Sequence, residues 1–543
     1  MTAAAPHYVI VGAGAAGCVL AERLTADGTT RVTLLEAGGE ARHPFFQIPK
    51  AVGKLAMRPA SLWAHRTKAE ASTGDKVESW RRGKALGGST AINGLVYVRG
   101  QPSDFDSFAE LGGSDWGWDH IGPAYEAIER HEMGAGDGRG TKGPLRISLP
   151  GSDVRMRWHE RILETGRAFG LSEKDDINAP DDMPAVGYCP RTIAKGRRQS
   201  AATAFLRPAR RRPNLTVITG ATVDRILFDG IRATGVAFVH RGQRRELAAR
   251  AEIIIAGGAL SSPGILERSG IGDPERLAHL GIDLVAANLQ VGENLLEHRA
   301  LLMQWRMASE ADSYNRSHRG LGLIASGIRY MFGGRGPLGS ATFDMGAWLK
   351  SRPELNRPDV QFLIAPHSMD RTAGKPTTES FPGMSMVVYP LRPNSAGSVH
   401  IDSRDPAALP VIAPNHRSSE SDRREMIAAV RAARRFVAMA PLAAHVAEET
   451  LPGTAFETDN EILAAYDRFA TCGYHAVGSC RMGKDDRSVV DPKLRVRGVE
   501  GLRVVDTSVM PVVPSGNTQG PTMAFAWRAA EVIASSKQER SGR

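Results

Sequence analysis

Three glycines near the start of the chain have the spacing of a phosphate-binding turn. Gly12, Gly14 and Gly17 stand in the segment Gly-Ala-Gly-Ala-Ala-Gly. In such a turn the first glycine permits the sharp change from strand to helix, and the second lets a pyrophosphate approach the backbone. The third lets the helix pack closely on the strand, so that the positive helix end faces the phosphates. The chemistry expected of this segment is dinucleotide binding.

The residues around these glycines predict the elements that would position them. An apolar run at 8–11 predicts a strand before the turn, and a helical stretch follows it. A second apolar run at 31–35 ends in Glu36, at the distance where a carboxylate accepts a hydrogen bond from a ribose 2′-hydroxyl. Glu36 therefore disfavours NADP, whereas NAD and FAD both remain open from this pattern.

Composition indicates a globular enzyme-sized chain. The 543 residues are 42% hydrophobic and 24% charged, a length that predicts two interleaved domains. No run of about 18 apolar residues predicts a membrane span. Residues 1–7 lack the basic and apolar parts of a secretory signal, so a cytoplasmic location is expected.

Charge and cysteine content exclude some further classes. The net charge of +10 comes from scattered basic residues, which predicts a solvated arginine-rich surface and no nucleic-acid partner. Whether this positive charge helps to attract an anionic substrate stays open. The four cysteines, Cys18, Cys189, Cys472 and Cys480, show no Cys-x-x-Cys spacing, so we expect reduced thiols and neither disulfides nor a zinc site.

The chain also predicts how the sheets are built. Three β-rich runs at 215–218, 221–228 and 233–239 predict an antiparallel meander. The apolar run at 252–256 predicts a buried parallel strand of the nucleotide-binding sheet, as does the run at 502–506.

The middle of the chain predicts a second sheet and a long helix. Runs at 360–364, 384–389 and 398–401 predict strands, and residues 421–439 a helix. A last helix is expected at 521–533, with Pro521 at its first turn. The first and last thirds are thus expected to complete one domain around an inserted substrate domain.

Two further glycine-rich segments carry a family resemblance. Residues 83–94 read Gly-Lys-Ala-Leu-Gly-Gly-Ser-Thr-Ala-Ile-Asn-Gly, and residues 258–272 contain Ser-Ser-Pro-Gly-Ile-Leu between glycines. Together they resemble the paired signatures of the glucose-methanol-choline (GMC) oxidoreductases. Segments similar to this family recur in the family's order at 291–295, 491–492 and 504–511.

The resemblance implies a fold and a domain plan. The expected fold is α/β, a Rossmann-like FAD-binding domain with an inserted α+β substrate domain that carries an antiparallel sheet. The FAD-binding domain is expected at residues 1–155, 196–300 and 467–543, and the substrate domain at 156–195 and 301–466.

The cofactor implied by the resemblance is FAD rather than NAD. Some relatives attach the flavin through a histidine immediately before the asparagine of the first signature, and Ile92 stands there in this chain. Non-covalent FAD is therefore expected. The residues expected to bind it are Gly12, Gly14, Gly17, Glu36, Ala37, Trp63, Gly83, Gly87, Gly88, Thr90, Asn93, Gly94, Val96, Val223, Asp506 and Thr518.

The catalytic residues come from the same resemblance. His475 lies in Gly-Tyr-His-Ala-Val-Gly-Ser-Cys-Arg-Met-Gly, which resembles the family's catalytic histidine segment although Ala476 replaces its frequent proline. Asn517 is its expected partner, and the two are 42 positions apart. A neutral imidazole with a pKa near ~6.5 suits the removal of an alcohol proton at neutral pH, and no metal is required. Read without the resemblance, His475 fits a structural histidine and Asn517 a helix cap.

The predicted activity is oxidation of a primary alcohol to an aldehyde, with aromatic or other hydrophobic alcohols ahead of sugars. Electrons would pass to oxygen or a quinone-type acceptor, which leaves oxidase and dehydrogenase both open, and Gly473 is a small residue that could admit oxygen or a bulkier substrate. Alternatives are a choline or sugar alcohol dehydrogenase of the same family and a hydroxynitrile-lyase-like FAD protein without net redox chemistry. The oligomeric state stays open. Side chains that fit either the pocket or the core are Trp63, Phe343, Met345, Trp348, Phe362, His367 and Tyr474.

Overall fold

The computed structural model describes residues 7–55, 58–370 and 377–541, with side chains up to residue 536. The prediction that the N-terminus lacks a secretory signal concerns residues 1–6, which lie outside the described residues.

A five-stranded parallel sheet forms the nucleotide-binding part of the molecule. Its central strands are almost wholly buried, and their apolar side chains share one core with the first and last helices and with the meander described below. In spatial order they are Leu215–Thr219, Arg31–Glu36, His7–Val11, Ile253–Ile255 and Leu502–Val504. Strands that are neighbours in space thus come from distant parts of the sequence, which joins the two ends of the chain into one unit.

A three-stranded antiparallel meander follows the first edge strand. It consists of Ala221–Asp229, Arg232–His240 and Gln243–Ala248. The prediction for this region was wrong in one strand, because Leu215–Thr219 pairs in parallel with Arg31–Glu36 instead. The third meander strand was missed since its side chains are mostly exposed and carry no apolar alternation.

A larger, mostly antiparallel sheet forms the second part. In spatial order its main path is Val446–Leu451, Arg299–Met307, Gly383–Pro390, Val360–Ala365, Met345–Leu349, Ala185–Tyr188 and Ser172–Glu173, and Thr471–Cys472 also pairs with Arg299–Met307. One face packs on helices Arg157–Ala168 and Glu420–Val437. The predicted strand at 398–401 is observed as Ser398–His400, but it pairs with Val411–Ala413 outside this sheet.

Helices complete both parts of the fold. The first helix, Ala15–Leu24, follows the glycine turn, and the last, Gln519–Ser541, starts two residues before the predicted position. No helix in the described ranges is long and apolar enough to cross a membrane. The remaining α-helices are Val52–Leu55, Pro102–Gly112, Trp118–Ile128, Arg207–Ala209, Ser262–Arg268, Pro274–His279, Gly320–Met331 and Asp459–Phe469. Further short paired strands are Leu62–Arg66 with Ser79–Gly83, Glu129–His131 with Leu145–Ile147, Ile193–Ala194 with Arg197–Arg198, Ile271–Gly272 with Ala286–Ala287, and Met369–Asp370 with Thr377–Thr378.

Candidate active site

The three glycines of the first turn each meet a different steric demand. Gly12 has φ of +103°, and a Cβ there would lie 2.5 Å from the carbonyl oxygen of Ala256. A Cβ on Gly17 would lie 1.9 Å from the carbonyl oxygen of Gly12, so helix and strand are in direct backbone contact. A Cβ on Gly14 would meet no atom within 4 Å, and Gly14 lines a cavity. This is the space that a pyrophosphate would need beside the backbone.

Glu36 holds the two loops that flank this space. Its carboxylate accepts hydrogen bonds of 2.8 Å from the backbone N–H groups of Ala13 and Gly38. Burial raises the pKa of Glu36 to about 7, against the opposing effect of those two N–H groups. The carboxylate also lines the cavity, where a ribose hydroxyl could reach it.

The second glycine-rich segment packs directly on the first. The backbone N–H of Gly87 donates to the carbonyl of Ala13 at 2.8 Å, and a Cβ on Gly88 would lie 2.8 Å from the Cα of Gly14. The Thr90 hydroxyl donates to the carbonyl of Gly87 at 2.6 Å. The glycine-rich segments at 12–17 and 83–94 therefore form one continuous wall of the cavity.

Asn93 continues this wall toward the last helix. Its amide donates to Gln519, at the start of the helix, and its side-chain oxygen accepts from Arg198 at 2.7 Å. Arg198 is buried, and burial lowers its pKa to about 9, so its guanidinium stays protonated at neutral pH. Its Nε and Nη2 have no hydrogen-bond partner among the described residues. Nothing in the sequence patterns marked this buried cation.

Asp506 closes the opposite wall of the cavity. Its carboxylate accepts from the Gly258 N–H at 2.8 Å, the Ser262 hydroxyl at 2.6 Å and the Ser508 N–H at 2.8 Å. These contacts bring the segment at 258–272 and the last strand together. Burial raises the pKa of Asp506.

One cavity of about 590 Å³ joins these segments. Of the residues predicted to bind FAD, Gly17 and Gly87 do not line it and act through backbone packing. The others line it: Gly12, Gly14, Glu36, Ala37, Trp63, Gly83, Gly88, Thr90, Asn93, Gly94, Val96, Val223, Asp506 and Thr518. A long cleft with a glycine cradle at one end fits a dinucleotide cofactor.

His475 and Asn517 meet in the same cavity. Asn517 Nδ2 lies 3.0 Å from His475 Nε2, although 42 positions separate the two residues. Burial, with the nearby His298 and Arg82, lowers the pKa of His475 well below its usual value. His475 is therefore a neutral imidazole at neutral pH.

A second histidine sets the tautomer of His475. His298 Nε2 lies 2.8 Å from the carbonyl oxygen of Leu391, which can only accept, so His298 Nε2 carries the proton. Burial lowers the pKa of His298 to about 4, which leaves its Nδ1 as an acceptor. This Nδ1 lies 2.9 Å from His475 Nδ1, so His475 donates there and keeps a lone pair on Nε2. In this structure that lone pair accepts from the Asn517 amide N–H at 3.0 Å, at the wall of the cavity.

Glu297 and Arg82 hold the backbone at His475 in place. Its N–H donates to Glu297 at 2.7 Å, and Glu297 contacts Arg82 at 3.5 Å. Burial raises the pKa of Glu297 to about 7. Tyr474 has φ of +64°, a left-handed conformation that costs about 1–2 kcal/mol for a residue with a side chain. This strained residue immediately precedes His475, and both side chains line the cavity.

Gly473 is required by the contact between the two histidines. A Cβ there would lie 3.0 Å from both the Cβ of His298 and Nδ1 of His475. Gly473 thus packs under the imidazole pair and also lines the cavity, so its expected part in oxygen or substrate access stays a prediction.

The aromatic candidates divide between cavity and core. Trp63, Phe343 and Tyr474 line the cavity. Met345 and Phe362 do not, because they lie on the sheet face that packs on the helices. Trp348 and His367 also lie outside its lining, and the Trp348 indole donates to the carbonyl of Ser515 at 3.4 Å. Tyr389, which no motif marked, lines the cavity with its ring 5.8 Å from that of His475.

Comparisons with known proteins identify the family to which the chain belongs. A family model described as GMC oxidoreductase matches residues 6–300, and a second one matches residues 393–526. The chain belongs to the GMC oxidoreductase family. It is an FAD-dependent alcohol oxidoreductase, and the predicted family, fold class and use of FAD are confirmed.

Several relatives match this chain over nearly its whole length. The oxygen-dependent choline dehydrogenase of Stenotrophomonas maltophilia (strain R551-3) is 37% identical, over 97% of this chain and 94% of its own. The mitochondrial choline dehydrogenase of Homo sapiens is 35% identical, over 97% and 89%. Among solved structures, pyridoxine 4-oxidase from Mesorbium loti matches with a TM-score of 0.87 at 30% identity, covering 98% of this chain and 99% of that one.

Proposed function

We propose that this GMC oxidoreductase converts a primary alcohol to its aldehyde, with His475 as the base and Asn517 as its partner. The observation that carries the proposal is the pair of contacts on His475. Its Nε2 lone pair accepts from the Asn517 amide N–H at 3.0 Å, and its Nδ1–H donates to His298 Nδ1 at 2.9 Å. An alcohol hydroxyl that replaced the Asn517–His475 hydrogen bond would donate to Nε2 and accept from the Asn517 amide N–H.

The steps at the protein follow from this arrangement. His475 Nε2 takes the hydroxyl proton, and the Asn517 amide N–H donates to the substrate oxygen as negative charge grows on it. The Nδ1–H bond to His298 stabilises the cation that forms on His475. When bound, FAD would supply the acceptor for the hydride that leaves the carbon, with oxygen or a quinone-type compound as the final electron acceptor.

We propose further that FAD is held without a covalent bond. Ile92 lines the cavity at the position where, by the resemblance described above, some family members carry an attaching histidine, and an isoleucine side chain has no nucleophilic atom. The Glu36 carboxylate and the helix that begins at Ala15 would hold the ribose and phosphates. Asn93 and Thr518 would contact the other end of the cofactor.

For the substrate, we propose a small alcohol of choline type. The relatives named above support this over the aromatic alcohol that the sequence analysis favoured. Ring faces also suit a quaternary ammonium group, and Phe343, Tyr389 and Tyr474 line the cavity.

An aromatic or heteroaromatic alcohol is the second candidate. Arg82 lines the cavity and carries a positive charge that would repel a cationic substrate. The two lining carboxylates, Glu36 and Asp506, are already engaged by backbone N–H groups of the glycine segments. Pyridoxine 4-oxidase, a relative at 30% identity, is named for an aromatic alcohol.

A comparison of isosteric substrates tests the two candidates. Choline and 3,3-dimethylbutan-1-ol have the same shape, but only choline is charged. A cation–π contact of about 1 kcal/mol predicts that kcat/KM for choline is about fivefold or more above that of the neutral isostere. A preference for the neutral isostere, with still higher values for benzyl alcohol or pyridoxine, would establish the second candidate. Failure of every alcohol to bleach the flavin without oxygen would favour a lyase.

A further inference from the structure

The helix Gly320–Met331 carries an unusual apolar surface. Six of the thirteen large apolar side chains that are exposed in the described part of the chain lie between residues 321 and 332. Leu321 is 84% exposed, Met331 74% and Phe332 87%. We call the set at helical spacing the apolar stripe; its members are Leu321, Ile324, Ile328, Met331 and Phe332.

This helix turns its apolar stripe away from the protein. With 3.6 residues per turn, the stripe occupies one side, and Ser326 lies on the opposite side. Ser326 is the buried residue of the helix, and its hydroxyl donates to the carbonyl of Ser317 at 2.9 Å. The Tyr330 hydroxyl, on the same inner side, donates to the carbonyl of Gly196 at 3.0 Å. The packing is therefore the reverse of an ordinary surface helix, which buries its apolar face.

The surroundings of the stripe are basic. Residues 313–343 contain four arginines and no aspartate or glutamate. Arg316, Arg329 and Arg335 are exposed, and so are Lys195 and Arg197 in the neighbouring hairpin. The side chain of Asp153, which reaches this segment from outside, accepts from the Gly336 N–H at 2.7 Å.

We propose that the apolar stripe docks this protein on the surface of an anionic lipid bilayer. Apolar side chains flanked by arginines match a surface with acyl chains beneath negatively charged headgroups. The twelve-residue helix is about 18 Å long at ~1.5 Å per residue, too short to span a hydrocarbon core of ~30 Å. It therefore lies in the interface rather than crossing it.

Charge also disfavours a second copy of the chain as the occupant. A two-fold contact would bring the same stripe and the same arginines together from both copies. Residues 313–343 contribute no carboxylate, and the single Asp153 side chain that reaches them is outnumbered by their four arginines. An anionic lipid surface supplies the missing negative charge.

Sedimentation of the FAD-loaded protein with vesicles tests the proposal. Phosphatidylcholine vesicles containing 30% phosphatidylglycerol are compared with pure phosphatidylcholine, at low salt and in 0.5 M NaCl. We expect binding to the anionic vesicles that is at least tenfold stronger than to the neutral ones and that weakens in salt. The double variant Met331→Glu with Phe332→Glu should lose at least tenfold in binding.

A matched double variant controls for the added charge. Met183→Glu with Leu289→Glu changes two side chains that are 60% and 63% exposed elsewhere, and it should bind vesicles like the parent. Flavin absorbance and Tm of each variant verify the fold. Absence of anionic-vesicle binding, or equal binding by the Met331/Phe332 variant, would overturn the proposal. Self-association that this variant abolishes, without vesicle binding by the parent, would assign the stripe to a second copy instead.

Discussion

The proton arrangement on His475 depends on a carbonyl oxygen two hydrogen bonds away. The Leu391 carbonyl fixes the proton of His298, and His298 in turn fixes that of His475. Neither His298 nor Leu391 lies near His475 in sequence. His298 therefore has a positioning role that is separate from proton transfer.

Substitution of His298 by Phe tests this positioning role. The ring shape is kept, but the acceptor for His475 Nδ1–H is lost, so the wrong tautomer becomes accessible. We expect anaerobic flavin reduction to slow about tenfold, the size of a lost hydrogen bond of about 1.4 kcal/mol. KM and FAD content should change little, and His298→Gln, which retains an acceptor, should recover part of the rate. An unchanged reduction rate in His298→Phe would contradict the role.

The buried state of His475 also predicts a pH dependence. Its pKa lies well below 6.5, and the neutral form is the base. The rate of flavin reduction should therefore be constant from pH 8 down to about 6.5 and fall only at more acidic pH. A rate that already halves near pH 6.5 would show an unshifted histidine.

Other buried histidines with lowered pKa values should destabilise the protein in acid, which has to be separated from the effect of pH on the rate. The pKa values of His65, His298 and His318 are lowered to about 3, 4 and 3 by burial. A folded-state pKa below the unfolded value means that the unfolded chain binds more protons in acid, so the free energy of unfolding decreases as pH falls below about 6.5. Tm must be recorded at each pH to separate the two effects.

Among single residues, the sequence motifs pointed to His475 and Asn517 but not to the residues that hydrogen-bond around them. His475 and Asn517 were found through the family resemblance, and the structure places them in contact. His298, Glu297 and Arg198 were missed because each acts through a tertiary hydrogen bond or a buried charge. Such contacts leave no spacing signal in one sequence.

Among the elements, the strand–turn–helix at the start of the chain was the most predictable. Gly12 and Gly17 leave no room for a Cβ, and Gly14 leaves its backbone open to the cavity, which are the demands that the glycine spacing reflects. The Leu215–Thr219 strand and the meander were partly misassigned, because alternation cannot tell which sheet a strand joins. Long-range pairing decides that.

Two alanine substitutions in this turn should have opposite consequences. Gly17→Ala places a Cβ 1.9 Å from a carbonyl oxygen and should lower the stability of the apoprotein by several kcal/mol. Gly14→Ala meets open space and has φ of −78°, so it should leave apoprotein Tm within a few degrees but weaken FAD binding at least tenfold. Thermal denaturation of apoprotein and fluorescence titration with FAD measure the two effects. If Gly14→Ala bound FAD as tightly as the parent protein, the proposal that the pyrophosphate lies against this turn would be wrong.

At the scale of the whole molecule, both sheets draw on separated segments. We propose the domain bounds stated from the sequence, with the FAD-binding domain at 1–155, 196–300 and 467–543 and the substrate domain at 156–195 and 301–466. Two strands of the antiparallel sheet extend past those bounds, Arg299–Met307 at one and Thr471–Cys472 at another. The cavity lies where these segments meet, a juxtaposition that only the folded chain creates.

A cofactor enclosed by so many segments but not attached to them should leave when the fold is lost. Acid precipitation is expected to release yellow FAD into the supernatant, since Ile92 offers no atom for a covalent bond. Proteolysis of the precipitate should yield peptides without flavin. Flavin-bearing peptides would contradict non-covalent binding and identify the attachment residue.

The most direct measurement is stopped-flow reduction of the flavin by an alcohol without oxygen, in the parent protein and in His475→Ala. We predict that a primary alcohol bleaches the parent, whereas His475→Ala retains FAD and is reduced about 10²–10⁴-fold more slowly. Asn517→Ala should be slowed to a lesser degree. Near-normal reduction of His475→Ala, or no bleaching of the parent by any alcohol in the panel, would contradict alcohol oxidation with His475 as the base.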